Sequence, residues 1–200
     1  MSSLGEREAD ADPVAQLRAW VDEAAATGAD WAEVMVLATS TPTGRASARA
    51  VVMRDLDQAG LVFDSDYQSR KAEELEANPW AAVVFLWPQL QRQARGEGRV
   101  ERLSAEESDR RFAAAPREQR LAVHASLQSQ VVADPEDLSR RLKELEEAYS
   151  GLDVPRPAHW GSYRLVPEVI ELWQGRPDRL HHRLRYRRGE GGWRVERLSP

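Results

Sequence analysis

Four short runs rich in β-branched residues, set close together and punctuated by turn residues, constrain the fold more than any other feature of this chain. VMVLATS (34–40), ASARAVVMR (46–54), GLVFDS (60–65) and AAVVFLW (81–87) read as strands. Thr41-Pro42-Thr43-Gly44 and Asp57-Gln58-Ala59-Gly60 read as hairpin-like turns between them. Parallel strands need long crossover connections, and these links are too short, so the spacing predicts antiparallel pairing.

Further strands are expected at 91–102, 162–166, 168–174, 183–188 and 192–198, the last two joined by a Gly-Glu-Gly-Gly turn. Helices interrupt them. Val14, Leu17, Trp20, Val21 and Ala24 share one face of a helix from about Pro13 to Thr27, which Gly28 ends. Ser69 caps a helix to Ala77, stopped by Asn78-Pro79. Ser104-Ala105-Glu106-Glu107 is a capping box opening a helix to Ala114, before Pro116. Asp134-Pro135-Glu136 opens a longer one to Ser150. Residues 1–12 are acidic and polar and read as a tail. Residues 13–200 read as one α+β domain, mainly β: an antiparallel barrel with peripheral helices.

Composition narrows the chemistry. The 42% hydrophobic content supports a core within 200 residues, and no apolar run approaches a membrane span. Zero cysteines exclude disulfides, thiolate catalysis and Cys-ligated metals, and point to the cytoplasm. A net charge of -5 argues against a general nucleic-acid surface. Lys71 and Lys143 are the only lysines among 28 basic residues.

Ser69-Arg70-Lys71 is the main local anomaly. Two cations in a helix's first turn oppose the macrodipole, which favours anions there. They are explained either as exposed charge or as a phosphate site, with helix N–H groups, a hydroxyl and two cations converging on one dianion. Arg49 lies within an apolar strand and needs a buried anionic partner if it points inward. Near the C-terminus, Trp173-Gln174-Gly175 and Arg179-Leu180-His181-His182-Arg183 concentrate cationic and titratable groups. The adjacent histidines lack metal-ligand spacing, so no metal is expected. No Walker, Rossmann or nucleophile-elbow pattern occurs.

At these residues the chain resembles the pyridoxine (pyridoxamine) 5′-phosphate oxidase family from about Asp12 to Pro200. The carriers are Arg49-Ala50-Val51-Val52, Ser69-Arg70-Lys71 with Asn78-Pro79, Gln91-Arg92-Gln93, Ser126-Leu127-Gln128-Ser129, Pro155-Arg156-Pro157 with Trp160-Gly161, Glu171-Leu172-Trp173-Gln174-Gly175, Arg179-Leu180-His181 with Arg183, and Arg197-Leu198-Ser199-Pro200. The resemblance implies an FMN-binding split barrel working as a homodimer, with two FMN molecules between its subunits and dioxygen as final acceptor. By position, Arg49, Arg70 and Lys71 would hold the FMN phosphate with help from Ser65. Ala50, Val51, Val52 and Asp64 would pack along the flavin. Gln93, Gln128, Ser129, Trp173 and Arg183 match cofactor contacts, several reaching the partner's flavin. Arg179 and His181, with Leu180 between them, match the pair that orients substrate.

The departures from that family concern the substrate. Where its vitamin-processing members gather the substrate phosphate with Lys, Tyr, Arg and Ser, this chain has Arg54, Arg111, Ala115 and Gln119. Ala115 removes a guanidinium and Gln119 a hydroxyl, while Arg111 adds a cation from another direction. The ending from Arg179 to Tyr186 is similar to the phenazine-biosynthesis branch, whose members dehydrogenate reduced tricyclic carboxylates. The expectation is therefore an FMN oxidase acting on a non-phosphorylated aromatic or polycyclic carboxylate. The alternatives are pyridoxamine 5′-phosphate oxidation and a non-catalytic flavin carrier.

Overall fold

Residues 10–200 are described by a computed structural model. Eight strands form one antiparallel sheet: β1 (Val34–Ser40), β2 (Ala46–Asp57), β3 (Gly60–Asp66), β4 (Trp80–Trp87), β5 (Arg92–Arg102), β6 (Trp160–Gln174), β7 (His182–Gly189) and β8 (Gly192–Arg197). Their order is β3-β2-β1-β4-β5-β6-β7-β8, and β3 also pairs with β6. That extra pairing closes the first six strands into a barrel and leaves β7 and β8 as an extension. The first four strands occupy the positions expected from their period-two patterning.

The expected strands at 162–166 and 168–174 are a single strand, β6. Pro167 has no N–H to give a ladder, which is why the sequence reads as a break there. The register instead shifts opposite Glu97 and Gly98: Gly98 faces Pro167, Glu97 faces Val169, and Glu168 is looped out as a bulge. β6 therefore serves the barrel with its first half and carries β7 on its second.

The barrel interior is packed with Leu37, Leu61, Phe63, Phe85, Leu165 and Leu172, all fully buried. Helix α1 (Pro13–Ala26) adds Leu17, Trp20 and Val21 to the same core, with the Trp20 ring edge-on to Trp87. Each such side chain contributes about 1.5–3 kcal/mol by leaving water. Asp12 caps α1 by accepting from the Val14 N–H, and the Asp10 carbonyl accepts from the Tyr186 hydroxyl. The last residues of the expected tail are thus anchored; its earlier part, residues 1–9, lies outside the described residues.

Four more helices sit around the barrel: α2 (Arg70–Ala77), α3 (Ala105–Ala114), α4 (Arg117–Ala125) and α5 (Pro135–Ala148). Helix α4 was not expected from the sequence. It begins directly after Pro116, which ends α3, and has no side-chain cap to announce it. Phe112, Leu121, Val154 and Trp160 form a second core cluster that fixes α3 and α4 against the start of β6.

Candidate active site

Helix α2 and strand β2 build a cationic cradle. Ser69 occupies the N-cap position, but its hydroxyl makes no cap hydrogen bond. It donates instead to the Asp66 carbonyl (2.7 Å) and accepts from Lys71 Nζ (3.1 Å). Lys71 also donates to Gln128 Oε1 (2.6 Å), and the Ser65 hydroxyl reaches the same oxygen at 3.3 Å. Burial, and then repulsion from Arg49, push the Lys71 amine down to about 8, against the attraction of Asp66.

Arg49 points towards α2 and does find an acidic partner. Its guanidinium donates to the Thr39 hydroxyl (2.6 Å) and lies 3.5 Å from Glu74, whose side chain is buried. Burial pushes the Glu74 carboxyl up. Hydrogen bonds donated by Ser47, Thr39 and Arg70 outweigh that and hold it at about 2. Thr39, Ser47 and Glu74 escaped the sequence reading. The demand of Arg49 for a buried anion was the signal, and Glu74, one turn beyond Arg70, answers it.

These groups border a cavity of about 470 Å³ lined by Arg49, Ala50, Val51, Val52, Arg54, Asp64, Arg70, Lys71, Gln128 and Ser129, together with Ser47 and Ala48. Ten of these twelve are residues the sequence singled out. Ser129 takes a left-handed backbone, φ 72°, of the strained kind that collects at functional sites. Four cations, Arg49, Arg54, Arg70 and Lys71, line this cavity against one lining carboxylate, Asp64, and an eight-residue helix begins at the same point, an arrangement that suits a phosphate dianion. The cradle fits the phosphate end of a flavin mononucleotide.

A second cavity of about 640 Å³ adjoins the first and brings together Arg54, Arg111, Ala115 and Gln119. Phe112, Ala114, Pro116, Val123 and Trp160 supply a largely apolar wall. Arg54 lies 3.4 Å from Asp64, Arg111 2.9 Å from Asp55 and Arg120 2.7 Å from Asp153. Burial pushes the Asp64 carboxyl up, opposed by the Ser162 hydroxyl and by the charges of Arg54 and Arg111.

The C-terminal candidates gather elsewhere. Gln93, Trp173 and Arg183 are consecutive ladder partners across β5, β6 and β7, so they stand side by side on one face. Arg183 is aimed by buried Glu171 at 2.9 Å. The His181 ring lies 4.8 Å from Trp173 and accepts from the Arg176 N–H, while Arg179 has a left-handed backbone, φ 61°. Leu180 and His181 border a separate hollow of about 550 Å³ with His182 and the last four residues. None of these six candidates lines the two cavities described above. Within one chain the candidate residues therefore fall into two separate groups.

A closed six-strand antiparallel barrel with two further strands and peripheral helices is the flavin-binding split-barrel fold. The chain belongs to the pyridoxamine 5′-phosphate oxidase family: residues 21–147 match pyridoxamine 5′-phosphate oxidase, and residues 160–200 match the pyridoxine 5′-phosphate oxidase C-terminal dimerisation region. It is 48% identical to a pyridoxine/pyridoxamine 5′-phosphate oxidase of Microcystis aeruginosa, covering 100% of this chain and 94% of that one. It is 49% identical to the one of Rubrobacter xylanophilus, covering 100% and 92%. Among solved structures it is similar to PhzG from Burkholderia lata in complex with tetrahydrophenazine-1-carboxylic acid, with TM-score 0.94, 30% identity and coverage of 100% and 98%. The protein is therefore a flavin-dependent oxidoreductase of this family, which sets aside the carrier reading. No helix among the described residues is long and apolar enough to cross a membrane.

Proposed function

We propose that the protein is a cytoplasmic FMN oxidase, working as a homodimer, that dehydrogenates a non-phosphorylated aromatic or polycyclic carboxylate in specialised metabolism. One observation carries the choice of substrate. Every arginine lining the 640 Å³ cavity is already paired with a carboxylate of this chain, and Ala114, Ala115 and Pro116 stand in the wall. A dianion would have to compete with those carboxylates for the guanidinium charge, whereas a flat ring with one carboxylate would need only one donor set. The PhzG structure, solved with a tricyclic carboxylic acid, supports the same reading.

FMN, when bound, would take a hydride from the substrate and be reoxidised by dioxygen with release of hydrogen peroxide. The chain's own residues bind and orient. Lys71, Arg49, Arg70 and Ser65 would hold the phosphate. Gln128 and Ser129 would close the cradle, and the β2 backbone at Ala50–Val52 would flank the ring system. Gln93, Trp173, Arg183, Arg179 and His181 would serve the partner's site, which accounts for the two separate groups within one chain. Val36 and Leu86, exposed on one face of β1 and β4, offer apolar surface for such a partner.

A second reading, oxidation of pyridoxamine or pyridoxine 5′-phosphate, is favoured by the names of curated relatives that match the whole chain. Anaerobic mixing of the FMN-loaded protein with pyridoxamine 5′-phosphate, followed by the flavin's visible absorbance, separates the two. Bleaching at micromolar substrate would establish the vitamin activity and overturn our reading. Intact FMN with no bleaching at micromolar pyridoxamine 5′-phosphate, followed by bleaching with a reduced phenazine carboxylate, is the expected result.

A further inference from the structure

Three residues line both cavities: Arg54, Asp64 and Gln128. Gln128 is engaged by Lys71 and Ser65, which leaves Arg54 and Asp64 at the seam where cofactor and substrate would meet. Their backbone settings differ. The β2–β3 register passes from Met53–Phe63 to Asp55–Val62, so Arg54 is a bulge residue without a ladder partner, and a bulge re-aims its side chain. Asp64 sits in a regular ladder opposite Ser162, whose hydroxyl donates to Oδ1 at 2.6 Å. Oδ2 faces Arg54 Nε at 3.4 Å. The carboxylate is the fixed member of the pair and the guanidinium, nearly half exposed, is the adjustable one.

We propose that Asp64 is a specificity-determining residue of this site: by holding Arg54 at the seam, it withdraws the bulge-borne cation from substrate phosphates and selects rings of lower negative charge. The inference rests on the reading of the 640 Å³ cavity as the substrate site. A phosphate entering the cavity would place two charges against the Asp64 carboxylate and compete with it for the same guanidinium. A neutral ring edge meets neither penalty. Arg111 is already paired with two acids of its own, Asp55 at 2.9 Å and Glu107 at 3.6 Å.

The test is calorimetric binding of two probes to the FMN-loaded protein: 4-deoxypyridoxine 5′-phosphate and 4-deoxypyridoxine, which differ only in the phosphate. Asp64→Asn is expected to tighten the phosphorylated probe by about 10- to 100-fold, the range of one charge-assisted contact, and to leave the other unchanged. Adding Arg54→Gln should abolish that gain, and Asp64→Glu should preserve the wild-type discrimination. An equal shift of both probes, or a gain that survives the loss of Arg54, overturns the proposal. If Asp64→Asn does not fold, the Arg54→Gln single variant decides: it should leave the phosphorylated probe's affinity unchanged, and a loss of tenfold or more would show that Arg54 already serves the phosphate. Rapid bleaching of the wild type by pyridoxamine 5′-phosphate would instead sink the functional reading, while the ratio between the two probes still judges Asp64.

Discussion

The Arg49 guanidinium lies 3.5 Å from Glu74 Oε2, an ion pair that joins the middle of β2 to helix α2 across 25 positions of sequence. Glu74 also accepts from Thr39 on β1, so one buried carboxylate ties two barrel strands to the helix that begins the cradle. Arg49 and Arg70, two of the cations that would face a phosphate, are held from behind by this acid.

Removing that acid should cost stability. Glu74→Ala leaves Arg49, Thr39 and Ser47 without their acceptor and is expected to destabilise the protein by about 3 kcal/mol. Because the folded pKa is lowered from 4.5 to about 2, the contribution is complete above pH 4.5 and is lost as pH falls towards 2. Urea unfolding between pH 2 and 7 should show this acid slope in the wild type. Glu74→Gln should show less of it, and identical slopes would refute the assignment.

Lys71 predicts a pH dependence at the other end of the scale. Its amine titrates at about 8, and a phosphate dianion prefers the charged form. FMN affinity should change little between pH 7 and 8, where the phosphate is a dianion, and weaken above pH 8 by up to about tenfold per unit. In the protein without FMN the sign reverses. The lowered pKa costs stability wherever the amine is charged in the fold, so stability rises with pH from about 8 towards 10.5. Fluorescence titration with FMN from pH 7 to 9.5 checks the first claim. Lys71→Met should bind about 10- to 100-fold more weakly at pH 7 and lose the pH slope.

Much of this architecture was legible because period-two patterning and short turns leave few alternatives to an antiparallel barrel. The cradle was legible for a different reason: Arg70 and Lys71 contradict the helix dipole, and a contradiction needs a cause. Glu74 hid because an acid four residues after Arg70 has an ordinary explanation as a surface helix pair. Helix α4 hid behind Pro116, and the continuity of β6 behind Pro167. Arg179 and His181 are near Arg183 in sequence, but no local pattern reveals that the two cavities of the same chain lie elsewhere.

The bulge in β6 gives a stability prediction. A Cβ at Gly98 would stand 2.0 Å from the Val166 carbonyl oxygen, a backbone atom of the neighbouring strand that cannot rotate away. Gly98→Ala should therefore force β5 and β6 apart, costing about 2 kcal/mol and lowering the thermal midpoint by roughly 4–8 °C. Gly191, with nothing near its missing Cβ, is the control. Equal midpoints for the Ala variants at 98 and 191 in calorimetry would show that the bulge yields freely.

The last prediction concerns the wall of the larger cavity. Ala115 follows α3 with φ -73°, a backbone any side chain adopts, and Gln119 lies on the first turn of α4 beside it. Ala115→Arg with Gln119→Ser adds a guanidinium and a hydroxyl at the two positions where the resemblance places phosphate contacts in vitamin-processing members. The added cation has no carboxylate partner among those that already hold Arg54, Arg111 and Arg120. A charge-assisted contact contributes about 1.5–3 kcal/mol, so the double variant should gain about 10- to 100-fold in kcat/KM for pyridoxamine 5′-phosphate. Pyridoxamine itself should gain nothing. If both amines improve together, the substitutions have merely opened the pocket; if neither does, the phosphate would not lie against this wall.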